Sequence, residues 1–355
     1  TTLMLQYIKL NYSPGSRIAL YCTLDSIYFS SHTLLELVEK FYLQGGKHLF
    51  LDEVHKYPTW SKELKEIYDL YPSMQIVFSG SSLLNILNAD ADLSRRCLPY
   101  NMYGLSFREF LMFYKNIRIP VASLEEVLRN AGEICQGINE QCRPVQMFNE
   151  YLHDGYYPFF TGNREDYYMN IENVVNFILE QEMPLLCGVA PAYVRKLKAL
   201  LSILASSVPY EVDITKLAGI IGLTRNSVIT YLQNLDRAEL LKLLYSDLTS
   251  VKKMQKPDKI YLQNPNLLYA IASTSVQIST ARETFVMSQL SVNHEIEYGK
   301  AQGDFVVDHK YTFEVGGADK TFKQIADLPD SFILADNIEY ATGKKLPLWI
   351  VGLTY

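Results

Sequence analysis

The sequence has little of what marks a metal protein, a membrane protein or a general nucleic-acid coat. Its five cysteines, Cys22, Cys97, Cys135, Cys142 and Cys187, are scattered and odd in number. None forms a CxxC pair and no histidine stands at ligand spacing from a pair, which argues against a disulfide framework or a zinc site and suits a reducing cytoplasm. No apolar run approaches the ~18 residues of a membrane span, and no signal peptide is visible, so a cytoplasmic protein without a membrane partner is expected. Positive charge is not in surplus. With 33 Lys+Arg against 39 Asp+Glu, the net charge of -6 gives no global attraction to nucleic acid, though it permits a local basic face. No internal repeat or low-complexity segment stands out, and the 26 tyrosines are dispersed.

What is present is an ordinary globular composition, 48% apolar and 20% charged, over 355 residues, long enough for two or three cores. The first segment alternates strand and helix. Strands at 17–22, 47–51 and 74–79 are separated by helices at 34–44 and 61–71, the latter stopped by Pro72, and a helix at 1–9 precedes them. Such alternation indicates an α/β domain with a parallel sheet, whose ligands bind at the carboxyl ends of the strands. Asp52, Glu53, Ser79 and Gly80 fall at two such ends.

The second segment is mostly helical and contains ITKLAGIIGLTRNSVITYLQNLDRAELL, Ile214 to Leu241. A helix ending near Gly222, a turn with Thr224 as N-cap, a second helix from Arg225 and strands at 240–245 and 259–262 read as a winged helix-turn-helix. Arg225, Asn226, Thr230, Gln233 and Asn234 are expected on its groove-facing side, with Lys252, Lys253, Lys256 and Lys259 on the wing. DNA is therefore a candidate partner; a winged helix used only for protein contacts is the alternative. The third segment is α+β: a helix at 282–290, strands at 292–298, 303–307, 310–315, 331–335 and 346–353, and a helix near 320–326.

HLFLDEVHK, His48 to Lys56, carries the chemistry. An Asp at the end of a buried parallel strand holds magnesium through its bound water, and an adjacent Glu orients an attacking water; nucleotide hydrolysis uses an apolar run followed by Asp-Glu in this way. A strand ending in a solvated acidic turn is the alternative. One helix later, VFSGSS offers hydroxyls that sense a terminal phosphate from the neighbouring strand. TTLMLQ reads as the continuation of a phosphate-binding loop beyond its Gly-Lys, with Thr1 as magnesium ligand and Thr2 opening a helix whose N-terminus faces the phosphates. The loop lysine is then expected upstream of Thr1; an unremarkable amphipathic helix is the other reading. Arg95 and Arg96 of LSRR lie where a guanidinium would reach the γ-phosphate, often across a subunit interface, or are a solvated pair.

Together TTLMLQ, HLFLDEVHKYPTWSKELKEIYD, IVFSGSSLLNI, LSRR followed by YGLSFREFL, the GYYP of Gly155 to Pro158, and ETFVMSQL with DFVVD resemble the prokaryotic AAA-type ATPases that carry a C-terminal nuclease-like domain of uncertain role. The resemblance covers nearly the whole chain. It implies a P-loop NTPase core over 1–108, a helical region over 109–275 with the winged helix at about 192–262, and a restriction-endonuclease-like α+β domain over 276–355. It implies ATP and Mg2+ as cofactors. By the same resemblance Asp52 is the Walker B acid, Glu53 the water-orienting acid and Ser79 to Ser81 the sensor, with Arg96 favoured over Arg95.

In the third segment Glu283 on a helix, Asp304 on a strand and Glu314 in YTFEVGG follow the PD-(D/E)xK arrangement of metal-binding acids, but Gly316 replaces the motif lysine. Lys320 and Lys323 lie past the strand. A nuclease-like fold with lost or weakened cleavage is expected; cleavage with a relocated lysine, and acids kept only as surface charges, stay open. The leading expectation is an ATP-hydrolysing switch, as a homo-oligomer or with a protein partner. The alternatives are a DNA-binding or DNA-processing module with a subordinate ATPase, and a scaffold that binds nucleotide but hydrolyses little.

Overall fold

The computed structural model describes residues 1–80, 93, 95–160, 162–207, 210–211, 213–246, 256–272, 276–300 and 302–355. It divides into two compact units, Thr1–Asn101 and Met102–Tyr355.

In the first unit, α1 (Thr2–Asn11), α2 (Leu34–Leu43) and α3 (Trp60–Leu70) accompany β1 (Ala19–Thr23), β2 (His48–Asp52) and β3 (Gln75–Phe78). All three strands are parallel in the order β1-β2-β3, with Thr23 opposite Asp52 and Leu51 opposite Phe78. A central parallel strand meets neighbours on both edges and helices on its faces, so β2 reads as a continuous apolar run; Leu49, Phe50 and Leu51 are buried. α2 begins at a capping box in which Thr33 Oγ1 accepts from the Glu36 amide and Glu36 Oε2 from the Thr33 amide, both at 3.1 Å. It buries Leu34, Val38 and Phe41, and α3 buries Trp60, Leu64 and Ile67; each set follows i, i+4, i+7 spacing on one helix face. α3 ends ahead of Pro72, whose ring disfavours a helical residue before it.

In the second unit the chain runs through α4 (Phe107–Lys115), α5 (Leu124–Arg129), α6 (Ala131–Asn139), α7 (Pro144–Asp154), α8 (Arg164–Phe177), a π-turn at Ile178–Glu182, α9 (Met183–Cys187) and α10 (Val194–Ser207). β4 (Tyr210–Glu211), α11 (Ile214–Ile221), α12 (Arg225–Arg237), β5 (Leu241–Leu244), β6 (Lys259–Leu262), α13 (Pro265–Ile271) and α14 (Ile278–Leu290) come next. β7 (Ile296–Tyr298), β8 (Phe305–Val307), β9 (Tyr311–Gly316), β10 (Ser331–Ala335) and β11 (Lys345–Pro347) complete it. β4, β6 and β5 form one antiparallel sheet. The other has the order β11-β10-β9-β8-β7, antiparallel from β7 to β9 and parallel from β9 to β11.

One hydrophobic cluster runs from Phe107 on α4 to Leu353, so the helices and both sheets share a core. Several tyrosines are spent inside it. Asn266 Oδ1 accepts from the Tyr156 amide at 2.7 Å and the Tyr167 hydroxyl at 2.6 Å, while its Nδ2 donates to the Tyr151 and Leu152 carbonyls. Buried phenols keep their ring burial only if the hydroxyl finds a partner, and here each does. Gly155 of GYYP is required by this packing: a Cβ there would fall 2.7 Å from the Tyr151 Cα and 2.8 Å from the Phe110 ring. The start of the unit is fastened to residue 355. Ser106 Oγ and Arg108 Nε each donate to the Tyr355 carbonyl at 2.8 Å, and the Tyr355 hydroxyl donates to the Gly104 carbonyl at 3.2 Å.

Two expected elements differ. The helix expected near 320–326 is a single 3-10 turn, Phe322–Gln324, because that stretch has only Phe322, Ile325 and Leu328 to bury, against Ile333 and Ala335. The strand expected over 346–353 stops at Pro347, which cannot extend a ladder, and Leu348–Leu353 is a buried 3-10 helix. A short buried apolar run does not reveal by periodicity which of the two it will form.

Candidate functional site

The carboxyl end of β2 is where the sequence turns from apolar to acidic. The Asp52 side chain is 3% exposed and both of its oxygens are engaged. Oδ1 accepts from the Ser79 hydroxyl, and Oδ2 accepts from the Thr1 hydroxyl and, at 2.8 Å, from the Tyr21 hydroxyl. The backbone nitrogen of Thr1 lies 3.5 Å from Oδ1. Backbone pairing sets Ser79 in place: its amide donates to the Leu51 carbonyl at 2.9 Å, and the Val54 amide donates to its carbonyl at 3.0 Å. Burial alone would oppose ionisation of Asp52, but the hydrogen bonds from Ser79, Thr1 and Tyr21 outweigh it and hold the carboxyl down at about 2. Burial and the Asp52 carboxylate push the Tyr21 phenol up to about 12, so it remains a donor.

Glu53 leaves the strand in the left-handed region, with φ 55°, and its side chain is 32% exposed. That turn separates the two acids: Asp52 stays inside while Glu53 is presented outward, 3.6 Å from buried His55. Burial holds His55 below its ordinary value, which favours the neutral ring. Thr2 opens α1 and is exposed. Arg95 is exposed, also in the left-handed region with φ 67°. Arg96 is paired with Asp69, Nε to Oδ1 at 3.2 Å. α3 leads from the end of β2 back to the start of β3, so Asp69 in its last turn holds Arg96 at the opposite end of the sheet from Asp52. The structure thus brings Thr1, Asp52 and Ser79 together, sets Glu53 beside them and keeps Arg96 apart. Ser81 lies outside the described residues. Sequence reasoning missed Tyr21; its only signal is a tyrosine inside RIALYC, on the strand adjacent to the acid.

In the second unit, α11, the left-handed Gly222 (φ 68°) and α12 form a helix pair. Thr224 caps α12 by accepting from the Ser227 amide at 3.1 Å. Arg225, Asn226 and Thr230 are exposed and Gln233 is half-buried. Asn234, expected to face outward, is 8% exposed. Lys256 is exposed, and Lys252 and Lys253 lie outside the described residues.

Lys259 is not a wing lysine. It is 7% exposed and points inward, its Nζ 3.5 Å from Glu283 Oε2 and 3.9 Å from Asp304 Oδ1. The Tyr261 hydroxyl donates to Glu283 Oε2 at 2.7 Å, and Asp304 Oδ2 accepts from the Val315 amide at 2.9 Å. Glu314 pairs through Oε1 with Lys320 Nζ at 2.5 Å. The three acids are therefore turned inward rather than kept as surface charges. Burial, then the neighbouring Asp304 carboxylate, raises Glu283; burial also raises Glu314, against the Lys320 hydrogen bond. Asp304 immediately precedes β8 rather than lying within it. A Cβ on Gly316 would fall 2.9 Å from the Lys320 Cβ and 2.7 Å from its Cδ, so the stem of Lys320 fills the space of the missing motif side chain.

Comparison with known proteins agrees with the first unit. Residues 1–111 match the family model described as an AAA domain, which supports an AAA-type, P-loop ATPase assignment for that part of the chain. Residues 145–277 match a domain of unknown function, DUF8612. The chain is 26% identical over 275 residues to an uncharacterized protein of Methanocaldococcus jannaschii, covering 73% of this chain and 57% of that protein. It therefore spans little more than half the length of this curated relative. No solved structure matches it. Among the described residues, no helix is long and apolar enough to cross a membrane.

Proposed function

We propose that the protein is an AAA-type ATPase that binds ATP with Mg2+ beside Asp52 and hydrolyses it, acting as a switch on the second unit. The observation that carries this reading is a buried Asp52 held ionised by hydroxyl donors at the carboxyl end of the central parallel strand, within the residues that match an AAA domain. The donor set fits Mg2+: a carboxylate with the hydroxyls of Thr1 and Ser79 offers only hard oxygen ligands. When bound, Mg2+ would neutralise charge building on the phosphate oxygens. Asp52 would hold it through its ionised carboxylate, Thr1 through its hydroxyl, and Thr2 would open the helix whose N-terminus favours the phosphates. Glu53, outward and flanked by a neutral His55, would orient the attacking water and take its proton. Ser79 would sense the terminal phosphate. Arg95, or Arg96 once released from Asp69, would supply a guanidinium to the site of a neighbouring copy, which makes a homo-oligomer part of the proposal.

For the second unit, the helix pair with its antiparallel strands supports a winged helix, and the α14-to-β10 order with its three acids supports a nuclease-like domain. With Gly316 in place of the motif lysine we read that domain as non-cleaving. The exposed Arg225, Asn226 and Thr230 favour one alternative, a DNA-binding module to which the ATPase is subordinate. A cytoplasmic location accords with five free cysteines.

The test is ATP binding and Mg2+-dependent hydrolysis by the full-length protein and by Glu53→Gln, with and without DNA. Glu53→Gln should retain ATP and lose turnover by roughly 10²–10⁴-fold. Unchanged turnover removes Glu53 from the mechanism, absence of ATP binding in the parent removes the ATPase reading, and turnover that depends on DNA favours the alternative.

A further inference from the structure

The backbone of Glu53 is pinned where β2 ends, but its side chain reaches into solvent. We propose that His55 is the positioning residue for Glu53: its buried ring donates from Nε2 to the Glu53 carboxylate when nucleotide is bound, and so fixes where that carboxylate aims the attacking water. The proposal rests on the ATPase reading above and adds to it a residue that the two adjacent acids do not supply.

The geometry comes from one short turn. The Val54 amide donates to the Ser79 carbonyl at 3.0 Å, which ties the end of β2 to the end of β3. The Lys56 amide then donates to the Glu53 carbonyl at 3.0 Å, closing the 3-10 turn Val54–Lys56. With Glu53 at φ 55° and Val54 buried, that turn brings the His55 ring back toward the Glu53 carboxylate. The His55 side chain is 1% exposed and its Nε2 lies 3.6 Å from Glu53 Oε2, whereas the Glu53 side chain is 32% exposed. One partner is held by packing; the other is a long, flexible side chain at the surface. Orienting a water asks for placement within roughly 0.5 Å, which such a side chain does not reach unaided. The 3.6 Å contact is too long for a hydrogen bond, and catalytic hydrogen bonds commonly tighten only in the substrate complex.

The chemistry suits an imidazole. Burial holds the ring below its ordinary value; Lys56 acts in the same direction, and the carboxylates of Glu53 and Asp25 oppose it. A neutral ring has one N–H to give, so it can orient Glu53 without setting a full positive charge against it. A lysine or arginine in its place would pair with Glu53 and weaken it as a proton acceptor. The tautomer that serves carries its proton on Nε2.

The experiment measures kcat and KM for ATP with Mg2+ in the protein, in His55→Met and His55→Gln, and in both substitutions combined with Glu53→Gln. Methionine and glutamine are alike in length, but only glutamine keeps an N–H donor near the place of Nε2. His55→Met should lower kcat by roughly 10²-fold, with KM for ATP held. His55→Gln should recover most of that loss. In the Glu53→Gln background each substitution should change residual turnover by less than about threefold, because the group they act through is gone. Equal falls in both backgrounds, or parental kcat in His55→Met, overturn the proposal and leave the ATPase reading standing. A parent without ATP turnover removes both. If neither His55 variant folds, nitrogen NMR of the imidazoles in the parent decides. A neutral ring protonated on Nε2, whose signal moves on Glu53→Gln, supports the proposal, and the absence of such a ring overturns it.

Discussion

The Tyr21 hydroxyl donates a 2.8 Å hydrogen bond to Asp52 Oδ2 across the β1–β2 pair. With Ser79 on the other oxygen, the carboxylate is held from both neighbouring strands and stays charged although buried. Tyr21→Phe keeps the ring and removes only this donor. It should lower the stability of the first unit by about 1 kcal/mol in urea titration. In the ATPase assay the half-saturating Mg2+ concentration should rise, with turnover at saturating Mg2+ retained. An unchanged Mg2+ dependence would leave Tyr21 a packing residue.

Two aspartates give the units opposite responses to acid. Asp52 is held at about 2, below the ordinary 3.8, so its contribution is complete above 3.8 and lost as pH falls toward 2. Asp236 on α12 is pushed up to about 6 by burial, with Lys242 and the Leu243 amide opposing. There the folded state binds the proton more tightly, so stability is greatest below 3.8 and declines as pH rises through about 6. Denaturant titrations from acid to neutral pH, read separately for each unit, should show the decline in the second unit, and Asp236→Asn should flatten it.

Asn266 is fully buried and makes four hydrogen bonds that join α7, α8 and the GYYP segment. Asn266→Ala removes the acceptor of the Tyr156 amide and the Tyr167 hydroxyl and a donor to the Tyr151 and Leu152 carbonyls, so a loss of about 3 kcal/mol or more is expected in the second unit. Asn266→Asp keeps the acceptor but not the donors and should fall between. A loss below about 1 kcal/mol would mean that water replaces the network.

The Arg96–Asp69 pair is half-exposed and should stabilise little, so Arg96→Ala is expected to leave unfolding within about 1 kcal/mol of the parent. If Arg96 serves a neighbouring copy, turnover should fall by roughly 10³-fold while ATP affinity holds. Arg95→Ala run in parallel tells which of the two guanidiniums reaches the phosphate.

How far the sequence could be read depends on which way each side chain turns. HLFLD is legible because a central parallel strand must be apolar on both faces, and α2 and α3 because their apolar residues recur at helical spacing. Asp52 and Ser79 meet because adjacent parallel strands end side by side, and Thr1 joins them from the start of α1. The left-handed Glu53 carries no local signal, since nothing in DEVHK demands a positive φ. Lys259 misleads for a related reason: in KPDKIYL it looks like its neighbours in a solvated loop, and only Glu283 on α14 and Asp304 just before β8, distant in sequence, draw it inward. Lys320 lies past the end of β9 yet pairs with Glu314, because the backbone turns after Gly316, with the Lys320 amide donating to the Gly317 carbonyl.

The clasp between residues 104–108 and Tyr355 has a mechanical consequence. The segment entering the second unit and the residue at its far end are joined by three hydrogen bonds, two of them to one carbonyl. A tension applied between those two points would load the three bonds together, in shear, rather than peeling α4 or the Leu348–Leu353 turn away one contact at a time. In single-molecule extension the unit should therefore resist and then yield in one abrupt step, and removing the side chains of Ser106 and Arg108 should convert that step into gradual unravelling from its ends.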